Sequence, residues 1–222
     1  MEKFLNRIVW LLMIVPVIYL AIVWNTLPEK VAVHFDINGK PDRFGSKPEL
    51  LLMVIILSIM CPVSYLILSN IYRIDPKKYA AENKFRLRRL AFGVVVFMVA
   101  VLCMIIYSSS KGNISFNTGI ILAATGLLFA FIGNYMHNIK PNYFAGFRLP
   151  WALENEENWK RTHALAGKLW FGGGLFLAVT CLFLSPRMAM AVFITVMIII
   201  TAIPILFSFH FYRKHKKITI NK

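Results

Sequence analysis

Six apolar runs divide this chain, at about 8–27, 50–72, 90–109, 117–137, 168–186 and 188–211, and no Asp, Glu, Lys or Arg falls deep within any of them. Lys168 stands at one edge. A bilayer core is crossed by roughly 20 helical residues. In hydrocarbon each backbone N–H and C=O has to be satisfied within the segment, so runs of this kind form helices. Hydrophobic residues make up 58% of the 222, and the mean hydropathy is +0.64, beyond a soluble domain. The expected fold is an all-α integral membrane protein, a single six-span domain over 1–222, multi-pass in the cell membrane. Lys3 and Arg7 precede the first run and no A-x-A-like cleavage site follows, which predicts a retained first span. Pro16, Pro62 and Pro204 interrupt runs one, two and six and are expected to kink them, because proline removes a backbone donor.

The charge balance is strongly basic, 25 Lys+Arg against 10 Asp+Glu, or +15. On a soluble chain that would suggest nucleic acid. No nucleic-acid motif is present, and the distribution of charge points to the lipid bilayer instead. Taken segment by segment, 19 Lys and Arg fall on the side of the two termini and six on the other. The rich side is predicted to be cytoplasmic, giving an N-in/C-in topology. Cys61, Cys103 and Cys181 each lie inside a different apolar run, so they read as small core residues and not as a disulfide framework.

The loop at 27–49 is the main outer feature. Val31, Val33, Phe35 and Ile37 alternate with His34 and Asp36, a period of two that predicts a strand. Asn38-Gly39 supplies a turn, and Pro41 and Pro48 bracket the return. A short extracytoplasmic β-hairpin-like loop is expected over the bundle, either meeting a partner outside or acting as a structural plug. His34, Asp36 and Asp42 have no diagnostic metal-ligand spacing, and no metal or cofactor is expected.

Between runs two and three, Asp75 and Pro76 read as the cap and first turn of a helix. Glu82 and Arg86 can pair at i, i+4. Lys84, Arg88 and Arg89 are placed near lipid phosphates, or alternatively offer a dock for an acidic protein. Run four carries Gly119, Ala123, Gly126, Ala130 and Gly133 at alternating spacings of four and three, one helix face of small residues. Gly167, Gly174, Ala178 and Cys181 in run five answer it, which predicts that these two helices pack closely.

The stretch 133–170, GNYMHNIKPNYFAGFRLPWALENEENWKRTHALAGKLW, concentrates Asn, Arg, Trp, His and Gly between greasy runs. Pro141 and Pro150 prevent one continuous helix, and Gly146 permits a tight bend. A helix is expected to resume with Asn155 as its cap, its solvated face carrying the pairs Glu156–Lys160 and Glu157–Arg161. The opposite face carries Trp159, Thr162, His163, Ala166, Gly167 and Trp170. Asn134, Asn142, Gly146, Arg148, Trp151, Trp159 and His163 are the candidate binding residues here, with His34, Asn38 and Gly39 in the outer loop. Either the polar groups satisfy one another in an interfacial loop, or Arg148 builds an anion or carboxylate site with Asn134, Asn142 and His163 nearby. His163 could titrate near neutral pH. No HExxH, GxSxG or GxxxxGK[ST] occurs, and no span carries an acid pair or buried charge for proteolysis or proton-driven pumping, so no enzyme is expected.

In order and spacing, Gly133-Asn134, Lys140-Pro141-Asn142, Gly146-Phe147-Arg148, Pro150-Trp151, Trp159, Thr162-His163 and Gly167 resemble the signature of the Sdp immunity protein (SdpI-like) family. Residues 27–47, LPEKVAVHFDINGKPDRFGSK, are similar to the extracytoplasmic module of unknown function that often precedes it. Leu149 stands where the family pattern has threonine, and Asp36 where it has Asn. The resemblance implies a bacterial membrane immunity and signalling protein, giving resistance to a secreted antimicrobial peptide toxin. It further implies a transcriptional repressor held at the membrane inside. The alternative is a small-solute or peptide transporter or channel.

Overall fold

The computed structural model describes residues 2–77, 79–111 and 117–220. Among the basic residues counted for orientation, Lys78 and Lys222 lie outside them. The chain is mostly helical: α1 (Glu2–Val23), α2 (Lys47–Asn70), α3 (Lys84–Ser110), α4 (Thr118–Met136), the single turn α5 (Pro150–Leu153), α6 (Glu156–Thr180) and α7 (Pro186–Ile220). Helices α1, α2 and α7 run on through their internal prolines. Among the described residues, five stretches are long and apolar enough to cross a membrane: Asn6–Thr26, Lys47–Arg73, Ala81–Ser110, Thr118–Met136 and Pro186–His215. Their outward faces expose Leu11, Ile59, Leu127 and Ile198, each more than half accessible. Apolar area of that extent is costly in water and matches lipid.

Run five differs from expectation. Its helix starts at Glu156 and ends at Thr180, whereas the apolar run spans 168–186. Lys168, His163 and a row of glycines dilute its hydropathy. Gly167 and Gly174 are there because α6 meets α4 backbone to backbone, and Gly173 faces Ile200 of α7. A Cβ on Gly126 would sit 2.8 Å from the Ala178 amide nitrogen and the Gly174 carbonyl oxygen, and one on Gly133 would sit 2.5 Å from the Phe171 nitrogen. Gly119, Ala123, Gly126, Ala130 and Gly133 are all buried, so the seam packs as its spacing predicts.

The helices form two groups of three. Helices α1, α2 and α3 close around Val9, Met13, Cys61, Tyr65, Val95 and Leu102. Helices α4, α6 and α7 close around Leu122, Ala123, Leu177, Cys181 and Ala189. The groups meet along α3 and α4.

Strands β1 (Lys30–Phe35) and β2 (Pro41–Ser46) pair antiparallel between α1 and α2. The strict alternation expected of β1 is broken, because a register shift falls between Ala32 and His34. Ahead of that shift, Val31 and Ala32 are both fully buried. Val31 packs with Leu20, Leu50, Val54 and Ile106, while the Ala32 carbonyl accepts from Ser109 Oγ at 2.7 Å. Thr118 Oγ1 donates to the Ile37 carbonyl at 3.0 Å, so the hairpin is bonded to both helical groups.

Asp75 and Pro76 do not open α3. A 3₁₀ turn, Ala80–Asn83, intervenes, and the Asp75 carboxylate is turned elsewhere. Arg86 donates to the Glu82 carbonyl at 2.9 Å instead of its carboxylate, which lies 3.7 Å from Lys140 Nζ.

Candidate functional site

The polar loop begins where α4 ends at Met136. Asn83, fully buried, holds its next segment as a backbone strand would. Its Oδ1 accepts from the Lys140 N–H at 2.9 Å and its Nδ2 donates to the Lys140 carbonyl at 3.1 Å. Asn142, also buried, folds the bend beyond Pro141. Its Oδ1 takes the N–H groups of Phe144 and Ala145 at 2.9 and 2.7 Å, and its Nδ2 donates to the carbonyls of Lys140 and Ala145. These four bonds saturate the side chain within the loop.

Gly146 then turns the chain with φ +93 beside the Nε2 edge of the His163 ring, where a Cβ would collide with Nε2. The next N–H, of Phe147, donates to His163 Nε2 at 2.9 Å. An imidazole nitrogen that accepts carries no proton, so Nδ1 bears it and donates to the Trp159 carbonyl at 2.9 Å, one helical turn back. The Trp159 ring stacks on the imidazole, centroids 4.0 Å apart, and its Nε1 donates to the Ile139 carbonyl at 2.8 Å. His163 and Trp159 thus latch both ends of the loop onto α6. Burial pushes the His163 pKa down to about 4, against the smaller upward pull of its bond to Trp159. The neutral-pH titration expected of it does not occur, because ring and both nitrogens are enclosed. As predicted, Asn155 caps α6, accepting from the Asn158 N–H at 2.8 Å, and Arg161 pairs with Glu157 at 2.6 Å.

A second knot ties α6 to α7. Buried Asn158 donates to the Ser208 carbonyl at 3.1 Å, and its Oδ1 accepts from Ser208 Oγ at 2.8 Å and Thr162 Oγ1 at 3.0 Å. Trp151 Nε1 donates to Ser208 Oγ at 3.1 Å while its ring packs on Phe209 and Tyr212. Across from both knots, the loop between α2 and α3 clasps the same segment. Asp75 accepts from the Tyr143 N–H at 3.0 Å, and Lys77 Nζ donates to the Leu153 carbonyl at 2.9 Å.

The structure therefore brings Asn142, Gly146, Trp159 and His163 into one latch and puts Trp151 in the adjoining knot. It does not build the anion site imagined around Arg148. That side chain is exposed and donates to the Tyr143 carbonyl at 3.3 Å, and Asn134 is exposed in a cleft beside α3. Asn83, Asn158 and Ser208 were missed. Asn158 and Thr162, four apart beside Trp159, and a lone hydroxyl within the apolar FSFHF were the available signals.

At the other end of the bundle, the named hairpin residues shape the turn. The Asp36 carboxylate accepts the N–H groups of Lys40 and Asn38 at 2.8 and 2.9 Å, and the Lys40 bond foremost holds its pKa below the ordinary value. Gly39 has φ 74. His34 Nδ1 lies 2.5 Å from Asp42 Oδ1 across the strands. Beneath the tip, Phe35, Ile37, Met104, Ile105 and Ile121 line an apolar cavity of about 410 Å³.

The latch, the knot and α7 as far as Ser208 coincide with a segment that resembles known proteins. Residues 138–208 match the SdpI/YfhL protein family. Residues 11–58, which hold the hairpin, match a domain of unknown function, DUF1648. Over 195 residues the chain is 25% identical to "Immunity protein SdpI" of Bacillus subtilis (strain 168), covering 87% of this chain and 88% of that protein. It is 41% identical over 54 residues to an uncharacterized protein of Archaeoglobus fulgidus, 24% of this chain and 29% of that one. No solved structure matches. With its SdpI/YfhL segment and its apolar helices, this is a multi-pass cell membrane protein.

Proposed function

We propose that this chain is a membrane immunity protein, protecting the cell that carries it from a secreted, membrane-active peptide toxin. The similarity to the immunity protein SdpI along 87% of the chain carries the reading. It runs through the hairpin, the bundle and the latched loop together and is not confined to one motif. The reading needs binding and relay only, with no covalent step and no cofactor.

In this proposal α6 is the sixth span, the termini and the 133–170 loop face the cytoplasm, and the hairpin faces out; 1–222 acts as one domain. The 19-to-6 division of Lys and Arg supports that orientation. A toxin meets the hairpin end, where the apolar cavity suits a greasy side chain. The inner loop, bonded to both helical groups, passes the event to a repressor. Arg148 is the exposed cation that the latched loop presents, and its planar fork suits a carboxylate.

The test is expression in a sensitive bacterium challenged with Sdp-type peptide toxins. Survival should rise with the wild-type chain at matched membrane abundance. Absence of protection, together with uptake of a solute into vesicles, would replace this reading with the transporter one.

A further inference from the structure

Asn134 belongs to the signature but has no part in the latch, and it sits at the mouth of a different feature. We propose that the cleft between α3 and α4 binds one anionic phospholipid, its phosphate at Arg86 and Arg89 and an acyl chain along the seam that continues from them. The proposal is independent of the immunity reading.

Two cavities line up on this helix pair. Near the C-terminus of α4, a polar cavity of about 530 Å³ is walled by Arg86, Arg89, Asn134, His137, Asn138 and Glu82. Further along the same helices, an apolar groove of about 330 Å³ is lined by Gly93, Val96 and Ala100 of α3 and Ala124, Leu127 and Phe131 of α4. Between them runs a chain of contacts one helical turn apart. Arg89 lies over the Tyr135 ring at 5.9 Å, Tyr135 packs on Phe131 at 5.0 Å, and the Phe131 ring covers the bare Cα of Gly93. A cationic pocket and an apolar slot thus follow one another along the same helix pair, with Tyr135 and Phe131 packed between them. Val96 and Leu127, at 41% and 55% exposure, leave that slot open sideways, towards the bilayer.

The charge selects the headgroup. Arg86 gives one of its five donors to the Glu82 carbonyl, and the Glu82 carboxylate is offset by Lys140 at 3.7 Å. Two guanidinium groups and the amides of Asn134 and Asn138 therefore face the cavity. They suit a phosphate diester, whereas the cation of a choline headgroup would approach two like charges. The groove is lined by apolar residues of the spans Ala81–Ser110 and Thr118–Met136, beyond the arginines, so its occupant has to be apolar there as well as anionic at one end.

Native mass spectrometry of the full chain, released from micelles with equimolar phosphatidylglycerol and phosphatidylcholine, tests this. Wild type should retain one phosphatidylglycerol with about tenfold preference, since each basic group near the membrane surface favours an anionic lipid several-fold. The double variant Arg86→Gln with Arg89→Gln should bring the preference close to parity. Ala100→Trp, filling the groove from an exposed position, should lose the retained lipid with helix content unchanged by circular dichroism. Ile198→Trp, on an exposed face of α7, should retain it. Equal retention of both lipids by wild type, an unchanged preference in the arginine variant, or retention by Ala100→Trp overturns the proposal. So does displacement of the lipid by soluble glycerol phosphate at comparable concentration, which would leave a headgroup pocket alone.

Discussion

His163 works only as a neutral ring, accepting from Phe147 and donating to Trp159. In the unfolded chain it takes a proton near its ordinary pKa of 6.5; in the folded chain it does so only near 4. Between these values the unfolded state binds more protons, so stability present above about 6.5 falls as pH drops towards 4, by up to roughly 3 kcal/mol. Thermal unfolding in detergent from pH 7 to 4.5 should show this loss, and His163→Gln should flatten the profile while lowering stability at pH 7. A wild-type slope no steeper than that of the variant would remove the latch. Gly146→Ala should cost about 1–3 kcal/mol, since φ +93 is strained for alanine and its methyl would strike the imidazole. Arg148 behaves differently because it is exposed. Arg148→Ala and Arg148→Lys should both leave the melting temperature within a degree or so, as surface changes do, yet abolish toxin resistance alike, because Lys cannot form a bidentate fork. Retained resistance with Lys would mean that charge alone serves.

Among the elements, the α4–α6 pair is the most closely packed, and glycine makes that possible. A leucine at Gly126 would drive carbons into the Ala178 amide and the Gly174 carbonyl, backbone atoms that cannot rotate aside. Gly126→Leu should destabilise by at least the ~1–3 kcal/mol typical of overpacking, read as a drop in folded protein by size-exclusion chromatography after heating. Because the latch residues ride on α6, the same change should also weaken toxin resistance at temperatures where the protein stays folded. An unaltered melting temperature would place the seam against lipid and not against α6.

For the whole molecule, the two three-helix groups are bridged at each end. The hairpin bonds to Ser109 of α3 and Thr118 of α4 at one end, and at the other Asn83, Asp75 and Lys77 hold the 138–153 segment. Because Thr118 at the start of α4 meets the hairpin and the latched loop follows the end of α4, a membrane-spanning α4 puts hairpin and loop on opposite faces. In a chain with its native cysteines replaced, an impermeant thiol reagent applied to intact cells should label Lys40→Cys and spare Lys160→Cys. The reverse pattern would invert the orientation, and labelling of both would mean that one of α2, α3 and α4 does not span.

Much of this was legible in order along the chain. The apolar runs, the small-residue face of run four, Asn155 as a cap and the Asn38-Gly39 turn depend on spacing and local chemistry, which a sequence displays directly. The signature residues could be picked out in the same way, but not their roles. Whether His163 titrates depends on what covers its ring, and the covering groups, Gly146, Phe147 and Trp159, reach it through the fold from as far as 17 residues away. Arg148 looked central because it is the one permanent cation between Lys140 and Lys160, yet the loop folds it outward. Asn83 meets Lys140 across 57 residues and Asn158 meets Ser208 across 50, separations at which no periodicity operates. The hydropathy of α6 misleads for a related reason: on the face it turns to α4 it needs glycine for close approach more than it needs leucine, and only the packing of α4 against it decides that.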